Sequence, residues 1–593
     1  MKEIPHADRL PGGPTGRNRQ RVETLLFCLA EIALCLFAAV FMVKRVQHGI
    51  DFSDEGWYIA DPVLVAKGRI PYVNVLDVVP GLTIPLALVF RAYLAVAGTE
   101  GIFMFSRYLY LVWAFGVLAL TLFVIRRHLL PDFPVIAGLP VLLMLYYLFD
   151  INYNTVGIYY LPLLIALVCA AWDMPEQKAF RFGIAAGVLG ARAIIASPFL
   201  LIPALCIILL LLIRRKKKQL LGILLGAGIA ALLVIGWCCL RGGPERLIYG
   251  LFAILKDDDY FHYERRISLS KTLYMIWRYT VPALRFAASA LLARLLLRRR
   301  ERLLRAVLCA LALGFMLYGI YTGLRWQRLM IINCWFEFII LPLLPGRGKR
   351  KADLALCGVV VLYYLMFVTS SIFNIFGYEG REYWLVVPCI LSCLALYLAI
   401  PQRFAARSVF TVLIAGFFLI QCRYSWDQIY RDAPIPEHTA TVSSGIWKGC
   451  KTTEARARAV VELEDCIHEI TEPGDRVLFR EWVSYAYVMN DGDACTPSPL
   501  VSCDARCNTP VFLFDLFYTD RAVPTKIIYI SEEGSSLSIE TEDCAFNPFV
   551  NAYYEKTFTY ENELFRVLEY DLRHENEALA CAMENASKLS RQS

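Results

Sequence analysis

The sequence predicts a mainly α-helical, polytopic membrane protein of about thirteen transmembrane helices, followed by a C-terminal extracytoplasmic α/β domain. First, 58% of the 593 residues are hydrophobic and 19% are charged, whereas a soluble protein has about 45–50% and about 25%. Second, the apolar residues form runs of about 15–25, enough to cross roughly 30 Å of hydrocarbon as helix. Third, 45 Lys/Arg and 24 Asp/Glu precede Tyr424, whereas the rest of the chain has 15 and 29. A single soluble domain is therefore excluded.

The apolar runs assign residues 1–423 to a transmembrane domain. The run at 79–97 is long enough to span, but it contains Pro80, Gly81, Pro85 and Arg91. Crossing there would reverse the side of every later loop, so we expect an interfacial helix in the first outer loop. The runs that predict spanning helices are 24–43, 103–125, 133–149, 157–172, 181–195, 197–213, 219–239, 272–296, 303–321, 329–345, 353–372, 384–400 and 406–422.

Basic residues cluster in the predicted loops of one side and set the orientation. Cytoplasmic loops carry an excess of Lys and Arg, so the N-terminus is predicted in the cytoplasm and the C-terminal domain outside the plasma membrane. Lys44 and Arg45, directly after the first span, are basic residues on the opposite side. The basic excess therefore reports orientation and gives no reason to expect nucleic acid. The agreeing clusters are at 17–21, 126–127, 214–218, 298–305, 346–351 and 402–407.

The polar region predicts an α/β domain at 424–575 and a disordered tail at 576–593. An amphipathic period predicts helix, and short apolar runs predict strands. Outside the cytoplasm a disulfide is favoured over a metal site, with Cys503 and Cys507 as a close pair within this region. The predicted elements are helices at 452–470 and 548–555 and strands at 476–479, 526–530 and 565–570.

The first outer loop carries the most informative ionisable residues. Asp54 and Glu55 follow the first span, and Asp150 opens the polar segment 150–154 in an apolar hairpin. Adjacent carboxylates are also typical of a solvated helix start, so this interpretation stays open beside a catalytic one. Ionisable groups near membrane depth are costly and tend to be functional, which favours a site on this side.

Several short motifs stand in a defined order along the chain: the acidic pair in 54–58, Gly-x-x-Pro-Tyr at 68–72, Arg107, the basic pair at 126–127 and Arg-x-Tyr-x4-Pro at 381–388. Their order and sidedness resemble the GT-C superfamily of membrane glycosyltransferases, which includes protein O-mannosyltransferases and lipid A aminoarabinose transferases. Residues 78–81 depart from that pattern, because Val-Val-Pro-Gly stands where members often carry Lys-Pro-Pro. The lysine that contacts the lipid phosphate in such members therefore has no counterpart here.

The resemblance implies transfer of a sugar from a polyprenyl-phosphate-linked donor to an extracytoplasmic acceptor, with inversion. Asp54 is then the general base, Glu55 orients the acceptor, and Asp150 positions the acceptor or binds a metal. Positive side chains, or a divalent metal ion, stabilise the departing lipid phosphate. No cofactor is certain and the metal ligands are unknown. The substrate-binding candidates are Tyr58, Tyr72, Arg107, Asn154, Lys256, Arg265, Arg266, Arg381 and Tyr383.

Two other functions remain as alternatives to an enzyme. A transporter or flippase of lipid-linked saccharides would need its polar cavity near the membrane midplane, and the sequence shows no paired half-repeats. A non-catalytic scaffold would use its acidic outer domain to bind a partner. The sequence does not identify the sugar or the acceptor, which are a glycolipid, a cell-wall polymer or a protein in the enzyme interpretation.

Overall fold

A computed structural model describes residues 14–76, 83–129, 133–143, 148–197, 200–256, scattered positions from 288 to 310, 403–481, 483–499, 522–532, 537–540 and 546–590. Within these residues the protein is mainly helical, with a sheet-containing C-terminal region. The predicted spans at 272–296, 303–321, 329–345, 353–372 and 384–400 lie wholly or mostly outside this part of the chain.

Five described helices are long and apolar enough to cross a membrane. They coincide with predicted spans 24–43, 103–125, 157–172, 181–195 and 219–239. The helices are α1 (Pro14–Arg45), α2 (Asp54–Ala66), α3 (Thr83–Ala97), α4 (Ile102–His128), α5 (Leu139–Leu142), α6 (Tyr153–Ala170), α7 (Glu176–Ala196), α8 (Leu201–Ile213), α9 (Lys217–Gly242), α10 (Pro244–Lys256), α11 (Arg403–Asp427), α12 (Glu454–Ile470), α13 (Ala486–Met489), α14 (Asn547–Tyr553) and α15 (Glu575–Ser590). The five candidate spans lie in α1, α4, α6, α7 and α9.

The prediction of a continuous spanning helix at 133–149 was wrong. The chain there forms a 3₁₀ helix at Val135–Gly138 and the single turn α5, after which Leu143 leaves the helical region. Gln421 of α11 donates its side-chain amide to the carbonyl oxygens of Pro140 and Leu143, at 3.0 and 3.1 Å. Irregular backbone is tolerated at membrane depth where protein satisfies it, and Gln421 supplies that partner.

Helices α7 and α9 pack backbone against backbone through glycines spaced four residues apart. A Cβ added at Gly187 would lie 2.1 Å from the carbonyl oxygen of Ile223, and one at Gly226 would lie 2.2 Å from that of Ile184. Small residues at this spacing let helices approach closely in a membrane. The two predicted spans at 181–195 and 219–239 therefore form a tight pair.

The end of α1 is tied to the end of α11 by Arg45, one of the basic residues that opposed the charge pattern. Arg45 is buried, its Nε donates to the carbonyl oxygen of Ser425 at 2.8 Å, and its Nη1 donates to that of His48 at 3.1 Å. Its guanidinium also lies over the ring of Phe149, 5.1 Å from the centroid. Arg45 therefore serves packing rather than orientation, whereas the exposed Lys44 still opposes the charge pattern.

The C-terminal region contains a five-stranded sheet of order β4-β3-β5-β7-β6 and a two-stranded ribbon, β1 with β2. Strand β3 is parallel to β4 and β5, whereas β7 is antiparallel to β5 and β6. The predicted helix at 452–470 and the strands at 476–479, 526–530 and 565–570 match α12, β3, β5 and β7. The strands are β1 (Ala440–Thr441), β2 (Lys451–Thr452), β3 (Arg476–Arg480), β4 (Asp493–Ala494), β5 (Lys526–Glu532), β6 (Tyr554–Glu561) and β7 (Phe565–Leu572).

Two predictions about the end of the chain are corrected. The helix predicted at 548–555 ends at Tyr553, because the edge strand β6 begins at Tyr554 and pairs with β7. The tail predicted as disordered from 576 forms α15, whose Ala578 and Ala582 are buried against the sheet. Alanines four residues apart present one small apolar face, a weak signal that the polar composition hides.

The disulfide prediction falls mainly outside the described residues. Cys503 and Cys507 belong to the segment that the structure does not describe, whereas Cys450, Cys466, Cys495 and Cys581 are free thiols. The prediction for the first two stays a prediction.

The first loop and the C-terminal region share one hydrophobic core. Helix α2 packs so closely on the C-terminal region that a Cβ at Gly56 would lie 2.9 Å from the backbone nitrogen of Tyr485. Arg69 donates to the carbonyl oxygen of Thr496 at 2.6 Å, and Phe52 packs edge-on against Phe565. The C-terminal region is therefore a direct neighbour of the acidic loop.

Candidate active site

Glu55 forms a buried, bidentate ion pair with Arg107. Its two carboxylate oxygens accept from Nε and Nη2 of Arg107 at 2.5 and 2.6 Å, and both residues are almost wholly buried. Glu55 lies in the first turn of α2, and Arg107 in the second turn of α4. A fork-to-fork geometry is the strongest form of this pairing, so Glu55 and Arg107 fix α2 against α4.

The remaining donors of Arg107 are also largely taken. Nη1 donates to the carbonyl oxygen of Val46 at 2.9 Å, and Nη2 donates to that of Gly49 at 2.8 Å. A guanidinium has five N–H groups, and four of them serve these contacts. Arg107 was predicted to bind substrate, but its N–H groups are largely engaged in holding the loop.

Asp51 is a buried carboxylate at the base of the loop. Its Oδ1 accepts from the backbone and side chain of Ser53 at 3.2 and 3.1 Å, and its Oδ2 accepts from the backbone of Glu55 at 2.9 Å. Burial, and then the charge of Asp54, raise the pKa of Asp51 to about 7. The hydrogen bond from the Glu55 N–H and the charge of Arg431 lower this pKa, but their effect is smaller. Asp51 therefore exchanges its proton near neutral pH.

Asp54 is half-buried and is held by the C-terminal region. The hydroxyl of Tyr430 donates to its Oδ2 at 2.6 Å. Burial and the charge of Asp54 raise the pKa of Tyr430, so the phenol stays protonated and remains a donor. Arg431, at φ 54°, contacts the hydroxyl of Ser53, and its guanidinium lies over the ring of Tyr430.

Asp150 lies near the same acids and contacts α4 through Ser106. Ser106 donates its hydroxyl to Oδ1 of Asp150 at 2.8 Å, whereas the buried Oδ2 has no hydrogen-bond partner among the described residues. Burial, and next the charge of Glu55, raise the pKa of Asp150 well above its usual range.

A narrow cleft lies between the loop, the segment before α6 and the chain after α11, and its volume of about 10 Å³ has room for roughly one water molecule. Charged, aromatic and aliphatic side chains line it together. His48 contributes a neutral ring, since burial and the nearby His438 lower its pKa to about 4. The lining residues are His48, Gly49, Asp51, Glu55, Arg107, Leu148, Phe149, Ile429 and Tyr430.

The structure brings some predicted binding residues near this cluster and leaves others away from it. Tyr58 packs on Trp57 and Tyr153, with ring centroids 4.9 and 6.1 Å apart. Asn154 lies in the first turn of α6, where its N–H donates to the side chain of Asn152. Tyr58 therefore contacts the start of α6, where Asn154 also lies.

Tyr72 lies elsewhere, against α10. A Cβ at Gly250 of α10 would fall 1.8 Å from the carbonyl oxygen of Tyr72, so the two backbones are in contact. The side chain of Lys256, at the end of α10, is outside the description, as are Arg265, Arg266, Arg381 and Tyr383. The roles assigned to these five residues stay predictions.

Sequence reasoning missed four residues of the site. Asp51 stands three positions before Asp54, and this spacing was a usable signal. His48, Tyr430 and Arg431 carried no local signal, because they reach the site through the tertiary fold.

Among the described residues, no three His, Cys, Asp or Glu side chains converge as metal ligands. The divalent ion considered from the sequence therefore has no ligand set within that part of the chain. Comparison with protein-family models, curated proteins and solved structures finds no match for this chain. The geometry of the site itself thus has to carry the functional argument.

Proposed function

We propose that this protein is an integral-membrane glycosyltransferase that moves a sugar from a polyprenyl-phosphate-linked donor to an extracytoplasmic acceptor. The proposal includes the plasma membrane, a cytoplasmic N-terminus and an outward-facing C-terminal region. It rests on one observation above the others. Three loop carboxylates, Asp51, Asp54 and Glu55, gather with Arg107 beside a narrow cleft next to the ends of apolar helices.

The chemistry of such a transfer matches what the cleft offers. A carboxylate has to take the proton of the acceptor hydroxyl or amine as general base. The apolar lining from Leu148, Phe149 and Ile429 suits a donor that arrives on a lipid. Because a lipid-linked sugar is already activated, the transfer needs no nucleotide-binding motif.

A cation for the departing phosphate is the second requirement. Arg107 is poorly placed for this role, since its donors bind Glu55 and two backbone carbonyls. Arg431 is exposed and stands next to the cleft-lining Tyr430. We therefore assign Arg431 as the cation that binds the lipid phosphate. Residues 78–81 lack the lysine that members of the resembled superfamily often carry for this role.

The test is sugar transfer by the purified protein in liposomes, with isotope-labelled polyprenyl-phosphate sugars and candidate acceptors. We expect turnover by the wild type and a loss of about 10²–10⁴-fold in the Asp51→Asn/Asp54→Asn double variant. Glu100→Gln is the matched control, because Glu100 is an exposed carboxylate paired with Lys448 at 2.8 Å. Equal activity of the double variant and the control would contradict the proposal, and donor movement between leaflets without transfer would favour a flippase.

A further inference from the structure

The start of α2 reaches the surface of the protein at one place. Among residues 51–65, all of which the structure describes, Asp54 and Tyr58 are half-buried and the others are buried. Residues four apart lie on the same face of a helix, with their Cβ atoms about 5–6 Å apart. Asp54 and Tyr58 therefore form a single opening in an otherwise covered stretch of chain.

The start of α6 reaches the surface beside this opening. Tyr153 is half-buried, whereas the other residues of 149–161 are buried. The ring centroids of Tyr58 and Tyr153 are 6.1 Å apart, and the two ring planes meet at 67°. Two rings at this angle form a corner rather than a flat surface.

Trp57 supports this tyrosine corner, formed by Tyr58 and Tyr153, from the protein interior. Trp57 is only 6% exposed. Its ring centroid lies 4.9 Å from that of Tyr58 and 6.2 Å from that of Tyr153. Side chains that are held by packing keep a binding geometry in place, so the corner is preformed.

The opening combines the two kinds of group that bind a sugar ring. One face of a pyranose carries C–H bonds, and their positive hydrogens pack on the negative face of an aromatic ring. The hydroxyl groups at the edge of the sugar need polar partners. Asp54, one helical turn before Tyr58, provides a carboxylate for them.

Tyrosine and tryptophan are also enriched where membrane proteins meet the lipid headgroups. The tyrosine corner differs from such a belt because charged groups share its opening. Asp54 accepts a hydrogen bond from Tyr430 at 2.6 Å, and the next residue, Arg431, is exposed. An aromatic corner beside a carboxylate and a guanidinium favours a polar ring over an acyl chain.

We propose that Tyr58 and Tyr153 bind a sugar ring of the substrate, which packs in their corner with a hydroxyl group directed to Asp54. This inference rests on the proposed glycosyl transfer and adds a sugar subsite to it. The ring belongs to the lipid-linked donor or to a saccharide acceptor, since both present the same C–H face.

The test compares KM for donor and for acceptor in variants with and without the two rings. Tyr58→Phe/Tyr153→Phe keeps both rings, whereas Tyr58→Leu/Tyr153→Leu keeps apolar bulk against Trp57 without an aromatic face. We expect the leucine variant to raise KM about 2–10-fold, and the phenylalanine variant to match the wild type. Tyr424→Leu is the control, because Tyr424 is a 38% exposed tyrosine of α11. A rise for the donor alone assigns the corner to the donor sugar, and a rise for the acceptor alone assigns it to the acceptor.

Two kinetic outcomes would overturn this inference while the proposed function stands. One is a leucine variant with the KM values of the control. The other is a phenylalanine variant as impaired as the leucine variant, which would mean that the hydroxyl groups act and the ring faces do not. If the wild type transfers no sugar from any polyprenyl-phosphate donor, the proposed function and the inference fail together.

Saturation-transfer NMR is a second measurement, which does not depend on the folding of the leucine variant. The protein contains deuterated phenylalanine and tryptophan, so that only tyrosine rings are irradiated. The probes are a polyprenyl-phosphate hexose for the donor and a methyl hexoside for the acceptor. The ring C–H protons of one probe should be saturated by the wild type, and this saturation should be lost with Tyr58→Phe/Tyr153→Phe. Equal saturation by both proteins, or none by the wild type, would contradict the inference.

Discussion

The hydroxyl of Tyr430 donates a 2.6 Å hydrogen bond to Oδ2 of Asp54, across 376 positions of the sequence. This bond joins the segment after α11 to the first turn of α2. The acidic loop is thereby completed by a residue that follows the last apolar helix. The C-terminal region consequently belongs to the site rather than to a separate accessory unit.

Replacing Tyr430 should weaken this junction. Tyr430→Phe removes a hydrogen bond to a charged group, so we expect a loss of about 1.5–3 kcal/mol in the free energy of unfolding. Chemical denaturation in detergent measures the change. Tyr424→Phe is the control, because Tyr424 is an exposed tyrosine near the end of α11, the helix that precedes Tyr430. Equal stability of the two variants would show that the Tyr430 hydroxyl contributes nothing to the junction.

The Glu55–Arg107 pair makes a sharper stability prediction. Arg107→Met leaves Glu55 charged and buried without its partner, which costs about 3–5 kcal/mol. Adding Glu55→Gln should recover most of this loss, since the uncompensated charge disappears with it. Thermal unfolding of the single and double variants measures the recovery. A double variant no more stable than Arg107→Met would mean that the loss comes from the two backbone carbonyls that Arg107 also binds.

The glycine contact between α7 and α9 should tolerate no added methyl group. Gly187→Ala brings a Cβ to 2.1 Å from the carbonyl oxygen of Ile223 and forces the helices apart. Gly228→Ala is the matched control within α9, because a Cβ there meets nothing within 4 Å. We expect the control to match or exceed the wild type, since alanine favours helix over glycine by about 1 kcal/mol. Thermal stability in detergent should rank Gly228→Ala above Gly187→Ala, and the reverse ranking would contradict this packing.

Two histidines of the chain should differ in charge at the same pH. Burial and His438 lower the pKa of His48 to about 4, whereas Glu464, at 3.8 Å, and the hydrogen-bonded Asp491 raise that of His468 to about 9. At pH 6.5 His48 should therefore be neutral and His468 protonated. Nitrogen-15 NMR of labelled histidine rings measures both states, with His48→Gln and His468→Gln used to assign the signals. A His48 signal that titrates between pH 6 and 7 would contradict its burial against His438.

The acidic partners of His468 also set the sign of its contribution to stability. Because its folded pKa exceeds the ordinary value of 6.5, the stabilisation is fully present below about pH 6.5 and disappears as the pH rises through about 9. The difference in unfolding free energy between the wild type and His468→Gln should decrease over this range. The residue is partly exposed, so the effect should also weaken with added salt.

Sequence periodicity could predict the elements whose burial is encoded locally. The runs at 24–43 and 219–239 and the strand at 526–530 have a continuous apolar or alternating pattern, and the structure places α1, α9 and β5 there. The run at 133–149 is equally apolar, yet its helical turns end at Leu142. The amide of Gln421, which lies 278 residues beyond Leu143, satisfies carbonyls of this irregular chain. A local pattern contains no information about such a distant donor.

The same limit applies to the site. The acid spacing of the loop pointed to Asp54 and Glu55, and both lie in the cluster. The spacing could not show that Arg107 would bind the carboxylate of Glu55, or that Tyr430 would bind that of Asp54. Those contacts depend on how α2, α4 and α11 pack together. Tyr72 was grouped with the site through its motif, whereas the tertiary packing places it on α10.

The central claim is that this protein transfers a lipid-linked sugar on the side of the membrane that holds its C-terminal region. The most direct measurement uses sealed proteoliposomes with the C-terminal region facing outward, a labelled polyprenyl-phosphate sugar in the membrane, and acceptor added outside or trapped inside. We predict that the label moves to the acceptor only when the acceptor is outside. Transfer to trapped acceptor alone, or no transfer to either, would contradict the claim.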